Sequence, residues 1–219
     1  TYAPGLYELT EDHKPDQAGR VGTTIRFRAK APAWARLLAG MGNDSRNGPE
    51  VTVSIPAGVP IDLTLRVGQG ESRIDLGGLM LKELGLTVSM GNHEVDFKEP
   101  VAPGLRNVRL TASMGNVSVD RLGNARARSI EASGSMGNLT ADLGGDWQPG
   151  TEADLSFTHS MGQLTVRAPT QVRLETVVSS SQGKAEDRSV DARQTNDPKS
   201  ALLRLRVSTS MGESHISRY

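Results

Sequence analysis

Six methionines in this 219-residue chain stand directly before glycine: Met41, Met90, Met114, Met136, Met161 and Met211. A thioether is a soft donor, so a methionine column with imidazole beside it would suit Cu(I). His93 follows Met90 by three residues and His159 precedes Met161 by two. The competing reading is packing, because an unbranched thioether fills irregular space at a corner. Asp96, Asp120 and Asp142 form a second set, each six residues beyond a methionine. Carboxylates in such a column could hold Ca²⁺ or act as acid and base on a glycosidic bond. Against that stands a solvated face, with the charges offset by neighbours such as Arg73 and Arg167.

Neither set comes with the rest of a catalytic motif. There is no HExxH, no GxSxG and no P-loop, and the glycine-rich VGQGES runs into Arg73 instead of completing GxGxxG. An enzyme needs its base, acid or nucleophile held in one pocket. The expectation is a protein without catalytic residues, bound metal or cofactor.

The elements that carry these residues follow from the spacing. Successive Met-Gly pairs are 49, 24, 22, 25 and 50 residues apart, so the outer intervals are twice the inner ones. A degenerate copy belongs in each gap, and Gln69-Gly70 and Gln182-Gly183 supply them. The corner column is then Met41-Gly42, Gln69-Gly70, Met90-Gly91, Met114-Gly115, Met136-Gly137, Met161-Gly162, Gln182-Gly183 and Met211-Gly212. Apolar residues fall six, four and two positions before the corner, as in Leu84, Leu86 and Val88, and three, five and seven after it, as in Leu139, Ala141 and Leu143. Steps of two mark strands with one buried face. The change of parity between them marks a bend holding one extra residue, where glycine accepts positive φ. Counting steps of two from the incoming strand places the methionine inward. Units of this length stack to bury their apolar faces, so the sequence predicts an all-β solenoid of about eight coils over residues 23–219. Asn43, Asn92, Asn116 and Asn138 would form ladders, and the sequons they begin are by-products of the repeat. Residues 1–22 show no repeat and read as an arm or linker.

Composition narrows the function. Twenty-five basic and 25 acidic residues cancel, which removes the global field that nucleic acid or an anionic membrane would require. Three Phe, three Tyr and two Trp give few stacking platforms for bases or sugars. Cysteine is absent, so disulfides and thiolate sites are excluded. No apolar run reaches about 18 residues, and the opening TYAPGLYELT lacks the layout of a signal peptide. Membrane insertion by this segment is not expected, and any signal or anchor would have been removed from it. The connections opposite the corners are unequal and rich in Gly, Pro and charge, as in KEPVAPGLRN (98–107) and GGDWQPGTEA (144–153). Variable connections collect on the binding side of repeat proteins. Trp147 lies there, as a candidate contact residue or a cap over the solenoid side.

The stretch VTVSIPAGVPIDLTLRVGQGESRIDLGGLMLKELGLTVSMGNHEVDF (51–97) resembles the bacterial toast-rack domains and the related adhesin-like β-solenoids. It has their apolar-proline-alanine-glycine opening, a strand, a glycine corner, then Leu-Gly-Gly-Leu and a second coil. The resemblance is best over residues 50–140 and continues to about 215. It implies a non-enzymatic, extracytoplasmic module of the bacterial envelope or cell surface, serving interaction, adhesion or assembly with a protein or envelope component. Polysaccharide cleavage through the aspartates and copper or calcium binding are the alternatives. Because a stack of coils has two open ends, end-to-end association is expected unless residues 1–22 and 186–200 cap them.

Overall fold

The computed structural model describes residues 7–15, 21–29, 52–188, 195 and 197–219. The chain divides into two units, Thr1–Ile55 and Pro56–Tyr219. In the first, β1 (Tyr7–Pro15) pairs antiparallel with β2 (Val21–Ala29), Leu9 opposite Phe27 and Glu11 opposite Ile25. The boundary expected at residue 22 therefore falls inside a strand. Lack of the repeat does not mean lack of pairing, since the alternation Val21, Thr23, Ile25, Phe27 is itself a strand pattern. The corner Met41-Gly42 and Asn43 lie outside the described residues.

The second unit is a parallel β-solenoid. Its strands are β3 (Pro60–Asp75), β4 (Met80–Asp96), β5 (Asn107–Asp120), β6 (Ser129–Asp142), β7 (Glu152–Ala168), β8 (Arg173–Ser180), β9 (Lys184–Asp187) and β10 (Leu202–Arg218). Like residues stack on like: Gln69 pairs with Met90, Met90 with Met114, Met114 with Met136, Met136 with Met161, and Met161 with Met211. The residue before each corner drops out of the ladder, which passes from Val88–Ala112 directly to Met90–Met114. Each long strand is thus two legs bent at Ser-Met-Gly or, in β3, at Gly-Gln-Gly. Val108, Leu110 and Ala112 of one leg and Val117 and Val119 of the other are buried, and the same columns repeat in the neighbouring rungs. Burying such a side chain stabilises by about 1.5–3 kcal/mol, so the two apolar legs drive the stacking.

Two expectations are corrected. First, the methionines point outward: Met114, Met136, Met161 and Met211 are 40%, 41%, 39% and 52% exposed. The parity count assumed that the incoming strand continues through the methionine. The bend begins one residue earlier, so the positions two before and three after the methionine flank the inside of the corner, and everything between them wraps the outside. Second, the coils are not stacked in chain order; seven of the units lie among the described residues, and the one with Met41 lies outside them. The order is β3-β4-β5-β6-β7-β10-β8, with β9 also on β10. Six rungs are unbroken, and a seventh is split into β8 and β9 around Gln182. Composition explains the exchange. The split rung follows its corner with Lys184, Ala185, Glu186 and Asp187, which offer no apolar leg to bury on both sides. In β10, by contrast, Leu203, Leu205, Val207 and Ile216 are buried. The apolar rung takes the interior place and the polar one the edge.

Opposite the corners the connections form a packed layer. A 3-10 turn, Leu122–Ala125, is buried throughout. Its Asn124 donates from Nδ2 to the Phe97 carbonyl at 2.7 Å and accepts from the Asp146 N–H at 2.8 Å, joining three successive connections.

Candidate functional site

The corner is built from its glycine outward. Gly91 and Gly115 have φ of 128° and 116°, a region that side-chain-bearing residues rarely adopt. A Cβ on Gly115 would overlap the carbonyl oxygen of Gly91 in the rung below, and one on Gly137 that of Gly115. Two demands, positive φ and contact with the next backbone, converge on one residue. The methionine beside it meets neither demand. Its neighbours are neutral: Ser113 and Ser135 precede Met114 and Met136, and Asn116 and Asn138 follow their glycines. Asn116 Nδ2 donates to Asn92 Oδ1 at 2.9 Å, one step of the expected asparagine ladder.

The histidines lie on the inner side of the corner, away from the thioethers. His93 is 2% exposed, with Nδ1 2.9 Å from Ser72 Oγ, and burial holds its imidazole below the usual 6.5. His159 is 1% exposed, its Nε2 2.9 Å from the Gly137 carbonyl. For that contact to be a hydrogen bond, Nε2 must carry the proton. Its ring occupies the space left by Gly134, where a Cβ would overlap Nδ1. The pairing of histidine with the methionine column is therefore not realised.

The three aspartates do share one column, but not as an outward face. Asp96 is 8% exposed and paired with the Arg121 guanidinium. Asp142 Oδ1 accepts from the Gly144 N–H and the Tyr219 hydroxyl, each at 2.7 Å. Burial and that carboxylate push the Tyr219 phenol up to about 12. Between them Asp120 is raised above the usual carboxylate range, by burial first and then by Asp96, Asp142 and Glu94. The leg ends at these residues and the chain turns inward there, which is why outward parity stops. Among the described residues no three His, Asp or Glu side chains converge on a metal position.

Trp147 is turned into the body. It is 9% exposed, donates from Nε1 to the Leu143 carbonyl at 2.6 Å, and lies against Gly123, whose missing Cβ would stand 2.8 Å from its ring. It is the lid of the variable edge and offers little surface to a partner.

A feature that sequence reasoning missed lies on that edge. Pro60, Met80, Leu81, Lys82, Pro103 and Arg106 border a shallow concavity of about 340 Å³. Leu81 forms a buried floor, while Lys82 and Arg106 stand exposed at the rim. The unequal length of the 98–107 connection was the signal. No spacing rule says that it meets the start of β4.

Among the described residues no helix is long and apolar enough to cross a membrane. No curated protein matches the chain. Among solved structures, a proposed cell adhesion protein from Clostridium sporogenes is similar over 100% of this chain and 80% of that one, at 9% identity and a TM-score of 0.47. Residues 36–120 match the model of the N-terminal domain of toast_rack, DUF2154. That segment holds the first described rungs β3, β4 and β5.

Proposed function

We propose that this chain is an extracytoplasmic interaction module that works without catalysis and contacts an envelope component through its variable edge. The carrying observation is the concavity at Pro60, Met80, Leu81, Lys82, Pro103 and Arg106. Backbone bonds from the Arg106 N–H to the Lys82 carbonyl and from the Ala102 N–H to the Leu79 carbonyl, each 3.1 Å, tie its walls together. A preformed surface loses little entropy on binding, and an apolar floor with two cations at the rim fits a partner that carries carboxylate or phosphate beside apolar groups. Envelope placement rests on the resemblance to toast-rack proteins.

Beads coated with the domain and mixed with isolated bacterial envelopes test the reading. Attachment is expected for the parent, and strong loss for Lys82→Glu with Arg106→Glu, two exposed changes that leave the core intact. Absence of attachment by the parent, or attachment indifferent to both reversals, would sink it.

A further inference from the structure

The methionine column is unbroken, although chain order alone would have broken it. In sequence the last corners run Met161, Gln182, Met211. Because β10 enters the stack beside β7, Met211 sits directly against Met161 and the split rung with Gln182 passes to the outside. The Gln182 N–H bonds the Ser210 carbonyl at 2.7 Å, which fixes it next to the Met211 corner. Reading across the rungs gives Gln69, Met90, Met114, Met136, Met161, Met211 and then Gln182. Five thioethers stand side by side with a glutamine at each end.

Packing does not ask for methionine at these positions. The side chains are outside the core, and two corners of the same solenoid carry glutamine in their place. In parallel rungs, like residues recur about every 4.8 Å. Two sulfur–metal bonds of about the zinc–thiolate length, 2.3 Å, span nearly that distance in a linear arrangement. Three flexible torsions let each thioether adjust. The corners of β4, β5 and β6 carry no carboxylate that would favour a hard cation and no basic group that would repel a soft one. We propose that the column Met90, Met114, Met136, Met161 and Met211 binds a soft monovalent cation, Cu(I) or its analogue Ag(I), through thioethers of adjacent rungs. Two neighbouring sulfurs make the site. The buried His93 and His159 take no part, being held by Ser72 and the Gly137 carbonyl on the inner side of the corner. The metal stays at one oxidation state and the backbone does not move.

The test uses the protein labelled with ¹³C at its methionine methyls, titrated with silver nitrate in chloride-free buffer and separately with Cu(I) under anaerobic conditions. The methyl signals of Met114, Met136 and Met161 are expected to shift, while that of Met80, in the concavity of the opposite edge, stays in place. The variant Met114→Gln, Met136→Gln, Met161→Gln carries the residue that corners 69 and 182 already use. It is expected to fold, with an unchanged circular dichroism spectrum, and to bind Ag(I) at least about tenfold more weakly, roughly 1.4 kcal/mol. Unmoved methyls at millimolar silver overturn the proposal and leave the column as an apolar strip. Equal binding by the glutamine variant, or shifts confined to Met80, overturns it as well.

Discussion

Gly115 and Met114 are neighbours under opposite constraints. Gly115 is fixed by the rung beneath it, where the Gly91 carbonyl occupies the place of a side chain, and by its φ of 116°. Met114 is 40% exposed and contributes nothing the fold requires. Replacing the two should therefore separate cleanly. Gly115→Ala is expected to cost at least about 2–3 kcal/mol, combining backbone strain with overlap. Met114→Gln should change stability by no more than about 0.5 kcal/mol, as exposed substitutions do. Urea midpoints of the two variants check both. A Met114→Gln loss as large as the alanine loss would mean that the thioether packs after all. The glycine was legible in the sequence because its need is local and recurs at the corners of β4, β5, β6 and β7. The methionine's direction was not, because alternation counts steps along a strand and cannot say at which residue a bend starts.

Single elements were legible where their residues agree and misread where order was assumed. The legs before and after each corner stand where the columns of Val108, Leu110 and Ala112 and of Val117 and Val119 put them. The place of β10 did not follow, since equal spacing suggests that neighbours in sequence are neighbours in space. The cue was compositional: the Gln182 copy lacks an apolar second leg. The same cue yields a prediction about folding. In the described structure β8 and β9 pair with β10 alone, and Tyr219 closes the end of β10 by bonding its N–H to the Ala168 carbonyl at 3.1 Å. Removing residues 201–219 should therefore release 173–188 to trypsin at Arg173, Lys184 and Arg188, while β3 to β7 retain their own ladders. Partial digestion followed by mass spectrometry reads this directly. If 173–188 remained resistant in the truncated chain, β8 would have paired with β7 in chain order, and the interior place of β10 would be a choice rather than a requirement.

Across the second unit, stability follows neighbours. Exposed ion pairs tie adjacent rungs, among them Arg109 to Glu131 at 3.0 Å and Arg204 to Glu152 at 2.9 Å and to Glu175 at 3.6 Å. Each contributes little in water, but in-register stacking would otherwise set like charge on like, so the alternation of Asp154, Arg204 and Glu175 favours this register over a slipped one. The apolar legs contribute more, and they contribute it unevenly. Inward residues of β5, β6 and β7 are buried between two rungs, whereas Ile61, Leu63, Leu65 and Val67 of β3 are only half-buried. In a one-dimensional stack, stability is close to the sum of what each rung and each rung-to-rung interface contributes, and among the described residues β3 and the split rung of β8 and β9 each have one rung beside them instead of two. Amide hydrogen exchange should therefore be slowest in β5, β6 and β7 and faster by orders of magnitude in β3 and in β8 with β9, since local opening requires less free energy there. The gradient should reverse direction at the middle of the spatial order, with β10 exchanging more slowly than β8 although it comes later in the chain. Uniform protection from β3 to β9 would instead mean that the solenoid opens only as a whole, and that the interfaces between rungs outweigh any difference among the rungs themselves.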